Sequence, residues 1–293
     1  MKILVTGGEG FIGRNLKEQL AEEFEVHAPR VAELDLLNEK YVKDYLKGKS
    51  FDVVFHTATW NATRNSKKDL AKTLDHNLRM FFNLAKQGNH FGKMINLGSG
   101  AEYDKRIPLS KVKEDFFDAR VPADDYGFSK YIIAKYIERA DNIYNARLFA
   151  VFGKYEDWEI RFISNACCKA VYDLPITIKQ NCFFDYVHID DLVRIFKWFI
   201  KNTQREKAYN ICGNQPRDLK SLAQKVLKVS GKDLKILIAE DGLKNEYSGD
   251  NARLLNEMGS FDFTDIEESI EALYRWYEKN KDKIDRRLLT HDK

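Results

Sequence analysis

Proline is scarce, with five in 293 residues, and nowhere do Gly, Ser and Pro gather into a linker. The chain is long for one compact domain, so one large or two unequal, closely packed domains are expected. Cysteine is equally sparse. Cys167, Cys168, Cys182 and Cys212 show no CxxC spacing, which excludes a zinc ribbon or a dithiol redox motif and leaves free buried thiols. No metal site is expected. Long apolar runs are missing too: none approaches the ~20 residues needed to cross a bilayer. The opening "MKILVTGG" is too short for a signal-peptide core. The expectation is a cytoplasmic protein with no membrane partner. Charge of one sign is absent as well. Lys+Arg number 48 against Asp+Glu 45, so the concentrated basic face of a nucleic-acid binder is lacking. The one basic run, "KNKDKIDRRLLTHDK" at the C-terminus, reads as a solvated, frayed tail.

What is present is alternation. "KILVT", "EVHAP", "FDVVFHTA", "KMINLGS" and "NIYNARLF" are short apolar runs. Between them lie helical patterns, among them "FIGRNLKEQLAEE", "EKYVKDYLKG", "LAKTLDHNLRMFFNLAKQGNH" and "DYGFSKYIIAKYIERA". Strands apolar throughout, alternating with helices, predict an α/β fold: a Rossmann-like, doubly wound parallel sheet. After Phe152 the rhythm changes. Helices are expected near 158–172, 190–202, 217–230 and 266–280, separated by short strands such as "PITIK", "AYNIC" and "KILIA". This divides the chain into a dinucleotide-binding domain, 1–152, and a smaller, interleaved substrate domain, 153–293. Residues near 182–212 are expected to return to the first domain.

"VTGGEGFIG" sets Gly7, Gly10 and Gly13 three apart, between the first strand and the first helix. Gly7 permits the tight turn, Gly10 admits a pyrophosphate to the backbone, and Gly13 lets the helix lie close on the sheet. The helix N-terminus offers free N–H groups and partial positive charge to phosphates. An NAD enzyme places an acid at the tip of the second strand, to hold the ribose hydroxyl. Here Glu25 is at the wrong end and Arg30 is at the tip. An arginine there can pair with a 2′-phosphate, so NADP is favoured, with NAD as the alternative. Asp35 and Leu36, after a third short strand, are expected to line the adenine pocket.

Tyr126 and Lys130 stand four apart in "DDYGFSKYIIAKY". The spacing suits an aromatic packing residue with a surface lysine. It also suits a proton-transfer pair, because both side chains share one helical face. A free tyrosine has a pKa of ~10, and a neighbouring cation lowers it. Ser99 closes the strand "KMINLGS", at the edge where parallel sheets hold ligands.

The motifs together resemble the extended short-chain dehydrogenase/reductase family, in its branch of nucleotide-sugar epimerases and reductases. The resemblance rests on "TGGEGFIG", "LGSGAEY", "YGFSK", "RLFAVFG", "FDYVHIDDLVRIF", "YNICGNQPRDLKSLAQKV", "DNARLLNEMG" and "DIEESIEALYRWYEKNK", in that order along nearly the whole chain. It implies that Ser99 holds the sugar oxygen and Tyr126 moves its proton. Lys130 would bind the nicotinamide ribose and tune Tyr126. Phe11, Ile12, Thr57 and Ala58 would complete the dinucleotide contacts.

Departures from the family narrow the chemistry. The 4,6-dehydratases carry Asp-Glu directly after the catalytic residue; Ser99 is followed by Gly100-Ala101, and Glu102 is offset by one residue on the strand. Branches that also epimerise, such as GDP-fucose synthase, use a cysteine and a histidine where this chain has Ala101 and Arg161. Phe184 and Ala150 replace the family's frequent Arg and Asn. Cations for a substrate diphosphate are then sought among Arg161, Lys169, Lys179 and Arg253, with Arg161 and Arg253 as the expected substrate contacts. The resulting expectation is an NAD(P)-dependent reductase of a 4-keto nucleotide sugar. Its rivals are a 4-epimerase with bound NAD and a non-catalytic dinucleotide sensor. The helices near 68–90 and 124–143, with Phe81, Phe82, Tyr131 and Ile132, are expected to form a homodimer interface.

Overall fold

Strands that are apolar along their whole length need cover on both faces. The computed structural model, which describes residues 1–60, 63 and 65–289, shows how the chain provides it. The first half contains Lys2–Thr6 (β1), Phe11–Leu20 (α1), Glu25–His27 (β2), Glu39–Leu46 (α2), Phe51–His56 (β3), Thr73–Ala85 (α3), Phe91–Ser99 (β4), Leu109–Val112 (β5), Asp125–Ile137 (α4) and Ile143–Leu148 (β6). The second half begins with Ala150–Phe152 (β7), Phe162–Val171 (α5), Ile176–Asn181 (β8), Phe183–Phe184 (β9), Tyr186–His188 (β10), Ile189–Lys201 (α6) and Ala208–Ile211 (β11). It ends with Arg217–Asp218 (β12), Leu219–Ser230 (α7), Ile236–Leu243 (β13), Tyr247–Gly249 (β14), Ala252–Met258 (α8), Ile266–Lys279 (α9) and Arg286–Leu289 (α10).

The main sheet runs β2-β1-β3-β4-β6-β11 with every pair parallel. Ile3, Val5, Val53 and Phe55 face α1 and α6, packing with Leu16, Leu20, Phe196 and Phe199. Leu4 and Val54, one residue over, face α2, α3 and α4, with Val42, Phe81, Leu84, Ile133 and Ile137. The two-residue period of a strand thus sends alternate side chains into two separate cores. The chain leaves β1 for β2 on one side and then crosses to β3 on the other. That reversal opens a crevice at the carboxyl ends of β1 and β3. No strand precedes Asp35: residues 28–37 run as turns and coil, correcting the expected third short strand. Too few consecutive apolar residues lie there to earn a place in the sheet.

A second core joins α5, α7 and α9 through Ile163, Cys167, Leu222, Ile270, Leu273 and Tyr277. The chain does not stay in it. Helix α6 and strand β11 return to the main sheet, and Leu254 of α8 is buried in the same core as Phe196 and Tyr209. A four-stranded sheet, β12-β9-β14-β5, ties the halves together. All four cysteines are buried and unpaired. The C-terminal run is anchored, correcting the frayed tail: Ile284 and Leu289 are 6% and 2% exposed within the second core. Two apolar side chains among many charges were enough to dock it; residues 290–293 lie outside the described residues. Among the described residues, no helix is long and apolar enough to cross a membrane.

Candidate active site

The crevice is built first from glycine. Gly7 has φ +69° and its carbonyl accepts the Gly10 N–H at 3.0 Å. A Cβ on Gly7 would stand 2.8 Å from the Ala58 backbone, and one on Gly13 would stand 2.3 Å from the Gly7 carbonyl oxygen. The turn is therefore tight enough to bring α1 directly onto the end of β1. No side chain caps the first turn of α1, so its N–H groups remain open to an acceptor. This cradle fits the pyrophosphate of a dinucleotide. Phe11 and Ile12, half-buried, open the helix. The Thr57 hydroxyl donates to the Thr6 carbonyl at 2.6 Å, which pins β3 and Ala58 beside the turn.

Arg30 comes to the rim of the same turn, 3.6 Å from Glu9, with both side chains mostly exposed. Asp35 uses a carboxylate oxygen to accept the Leu37 N–H at 3.0 Å. Leu36 corrects the expectation: its side chain is buried with Val42 and Phe81, facing the core and not an adenine pocket. It lacks the strand that would have turned it outward.

Ser99 ends β4, and a short 3-10 turn follows over Gly100–Glu102. The Ser99 hydroxyl accepts the Ala101 N–H at 3.1 Å, and Glu102 accepts the Ser99 N–H at 2.9 Å. Glu102 is fully buried and further bound by Asn145 and by an ion pair to Arg147. It is withdrawn from the crevice by this capping arrangement. Strand alternation is not the cause, because residue 102 is no longer in a strand.

Helix α4 brings the remaining groups. Asp124 caps it by accepting the Gly127 N–H at 2.9 Å. A Cβ on Gly127 would lie 2.7 Å from the Ala101 carbonyl oxygen, so this glycine seats the helix on the 100–102 turn and delivers Tyr126 to Ser99. The Tyr126 phenol is pushed above its usual pKa by burial, with the Ser99 hydroxyl and the Arg161 charge pulling it partly back. This reverses the expected lowering. The Lys130 ammonium donates to the Leu97 carbonyl at 2.7 Å instead of meeting the phenol oxygen. Burial lowers Lys130 to about 8, partly opposed by Glu102.

Arg161, at the start of α5, stands close enough to act on both Tyr126 and the buried Glu156. The other cations lie elsewhere. Arg253 pairs with Asp115 at 2.5 Å and donates to the Ala208 carbonyl at 3.4 Å. Lys169 is buried against Thr177, and the exposed Lys179 lies 3.5 Å from Glu240. Other buried residues support the site. His56, fully buried, sits 3.0 Å from the Thr6 hydroxyl, and burial beside Lys130 takes its pKa down to about 3. Asn77 of α3 accepts the Trp60 N–H at 2.7 Å and donates to Ser129 at 3.4 Å, joining α3 to α4. Tyr247 of β14 reaches Gly100 from the substrate half. None of these carries a local motif.

A glycine turn at the switch point of a parallel sheet, facing serine, tyrosine and lysine at its carboxyl edge, defines a Rossmann-type protein of the short-chain dehydrogenase kind. The chain belongs to the NAD-dependent epimerase/dehydratase family, whose model matches residues 3–212. Among curated relatives, a GDP-L-colitose synthase of Yersinia pseudotuberculosis is 24% identical over 310 residues, covering 96% of this chain and 100% of that one. A GDP-6-deoxy-D-talose 4-dehydrogenase of Aggregatibacter actinomycetemcomitans is 26% identical over 296 residues, covering 94% and 97%. Among solved structures, the GDP-mannoheptose C4 reductase of Campylobacter jejuni with NADP bound superposes with a TM-score of 0.80 at 19% identity, covering 94% and 98%.

Proposed function

We propose that the protein is an NADP-dependent reductase of a 4-keto nucleotide sugar. One observation carries the reading: Ser99, Tyr126 and Lys130 converge at the crevice, while Ala101 and Arg161 leave no second acid–base pair for epimerisation. NADPH, when bound, supplies the hydride for the carbonyl carbon. Ser99 holds the carbonyl oxygen. Tyr126, kept protonated by its raised pKa, gives that oxygen its proton. The Lys130 ammonium, fixed at Leu97, binds the nicotinamide ribose. Arg30, at the rim of the glycine turn, meets the 2′-phosphate. Arg161 is the nearest candidate for the substrate diphosphate; Arg253, spent on Asp115, is the weaker one.

The relatives named above act on GDP-sugars by their names, so GDP-4-keto-6-deoxy-D-mannose is the first substrate to test. Stoichiometric loss of NADPH absorbance with appearance of an alcohol supports the reading. Net interconversion of sugars without cofactor consumption would replace it with an epimerase, and neither event would leave a dinucleotide sensor. The four unpaired thiols suit the reducing cytoplasm. A homodimer through α3 and α4 is part of the same proposal. Tyr136, 42% exposed, makes ring contacts with Phe81 and Phe82 on that face. Phe81 itself is buried in the subunit, so Phe82, Tyr131, Ile132 and Tyr136 remain to form the contact.

A further inference from the structure

Ser99 stands at the joint between β4 and the Gly100–Glu102 turn. The spacing Ser99-x-x-Glu102 is that of a capping box, in which each end of a turn bonds the other. The Ser99 hydroxyl accepts the Ala101 N–H at 3.1 Å, and Glu102 Oε1 accepts the Ser99 N–H at 2.9 Å. On an exposed turn the arrangement would stop there. Here Glu102 is fully buried and anchored from its far side in β6. Asn145 Nδ2 donates to both carboxylate oxygens, at 3.0 and 2.9 Å, and Arg147 pairs with Oε2. In the sheet, Asn145 lies opposite Asn96 of β4, and Arg147 lies opposite Gly98. The Asn96 amide donates to Asn145 Oδ1 at 2.8 Å. A Cβ at residue 98 would overlap Glu102 Oε1 and Asn145 Oδ1, so the acid can lie on the sheet because residue 98 is glycine. Arg147 is fixed in turn. It donates to the Tyr103 hydroxyl at 3.3 Å, and its guanidinium stands 4.3 Å from the centre of the Phe117 ring.

A buried ion pair is weak evidence of stabilisation, because desolvating two charges offsets most of their attraction. What the pair adds here is aim. A serine hydroxyl has one proton to donate and two lone pairs. The Ala101 N–H occupies one lone pair, which leaves the proton and the other lone pair for a substrate oxygen. With the Ser99 N–H held by Glu102 as well, neither the backbone nor the side chain of Ser99 turns freely. We infer that Glu102 is a positioning residue: through the Ser99 N–H, and braced by Asn145 and Arg147, it fixes the direction of the Ser99 hydroxyl toward the substrate's carbonyl oxygen. A donor aimed before the substrate arrives needs no reorganisation when negative charge develops on that oxygen. The inference rests on the reductase reading above, in which Ser99 holds the oxygen.

The test uses the full-length protein with NADPH and GDP-4-keto-6-deoxy-D-mannose, and two substitutions that separate aim from support. Glu102→Gln keeps the length that reaches the Ser99 N–H and gives up the charge facing Arg147. Glu102→Asp keeps the charge and falls one methylene short of that N–H. Positioning predicts opposite orders: Glu102→Gln has the lower Tm, and Glu102→Asp has the lower kcat. The Glu102→Asp loss in kcat should be about 10- to 100-fold, up to the ~10² that a 1 Å misplacement costs. Its KM for the sugar nucleotide and its NADPH affinity should hardly change. If Glu102→Gln fails to fold with Arg147 unpaired, Glu102→Gln combined with Arg147→Met removes both charges, keeps the acceptor for Ser99, and should exceed Glu102→Asp in kcat. In a Ser99→Ala background Glu102→Asp should cost no further rate, since Glu102 acts through Ser99. Wild-type kcat in Glu102→Asp would overturn the inference. So would a kcat that follows Tm across the variants, or equal fold-losses in both backgrounds, because Glu102 would then be structural support alone. Wild-type turnover in Ser99→Ala itself would instead remove the reductase assignment of the site, and the inference with it.

Discussion

The residue with the most to explain is Tyr126. Lys130 sits one turn away on the same helix, yet burial outweighs it and the phenol's pKa rises. A proton donor gains from this, since it stays protonated at every physiological pH. Tyr126→Phe should remove most turnover, because a positioned acid typically contributes 10²–10⁴-fold. NADPH affinity should persist, which nicotinamide fluorescence would show. The alkaline limb belongs to Lys130. Its ammonium titrates near pH 8, so its charge is present below that pH and lost above it. NADPH affinity should therefore weaken as pH rises through about 8, and Lys130→Arg, which stays charged, should shift that limb upward; an affinity flat from pH 6.5 to 9.5 would contradict it. Arg30 makes a third expectation. Its ion pair with Glu9 is exposed, so the guanidinium can exchange that partner for a 2′-phosphate. NADPH should bind tighter than NADH, and Arg30→Ala should narrow the gap chiefly by weakening NADPH. Equal affinities in the unaltered enzyme would refute this.

At the scale of elements, the site depends on how strands and helices are fastened to one another. Asp185, between β9 and β10, accepts the Gly249 N–H at 2.7 Å and so ties these strands to β14. Burial holds its carboxyl up at about 8 against an ordinary 3.8. The folded protein thus keeps a proton that the unfolded chain releases. That preference is fully stabilising below an ordinary carboxylate pKa, and it is lost as pH rises through about 8. Asp185→Asn retains the carbonyl acceptor and cannot titrate. It should flatten the decline of Tm between about pH 4 and 8, removing a pH-dependent term on the order of a few kcal/mol. A decline identical to that of the unaltered protein would assign the effect to other groups, Glu156 first among them, since it too is buried and raised to about 8.

For the whole molecule, the proposed dimer rests on the α3–α4 face. Helix α4 has apolar side chains on several sides, with Ile133 and Ile137 inward and Ile132 and Tyr136 toward the surface. Such a helix is either buried all round or waiting for a neighbour. Sedimentation at micromolar protein should show a dimer, and Tyr136→Glu should yield monomers that still bind NADPH. A unaltered protein that sediments only as monomer would end the proposal.

The same scale separates what could be read from the chain and what could not. Local periodicity and turn chemistry act over a few residues. They placed the parallel sheet, the Gly7–Gly13 turn, and Tyr126 with Lys130 on one helical face, because each rests on neighbours in sequence. Arg161, which matches the position of the family's histidine and is one of the candidate diphosphate cations, does stand near Tyr126. Arg253 looked like an equally good cation until Asp115, 138 residues away, claimed it. The burial of Leu36 and of the C-terminal Ile284 and Leu289 is not legible locally, because it is decided by what packs on them from afar. Tyr247 has no motif at all: its hydroxyl reaches Gly100 only after β14 pairs with β5 and β9. The direction of the Tyr126 shift followed from the same cause. The sequence by itself determined the sheet, the dinucleotide turn and the residue types of the chemistry. Tertiary structure alone decided which charges are spent on partners, which phenols are desolvated, and what surrounds Ser99, since desolvation and long-range pairing exist only once the halves are packed together.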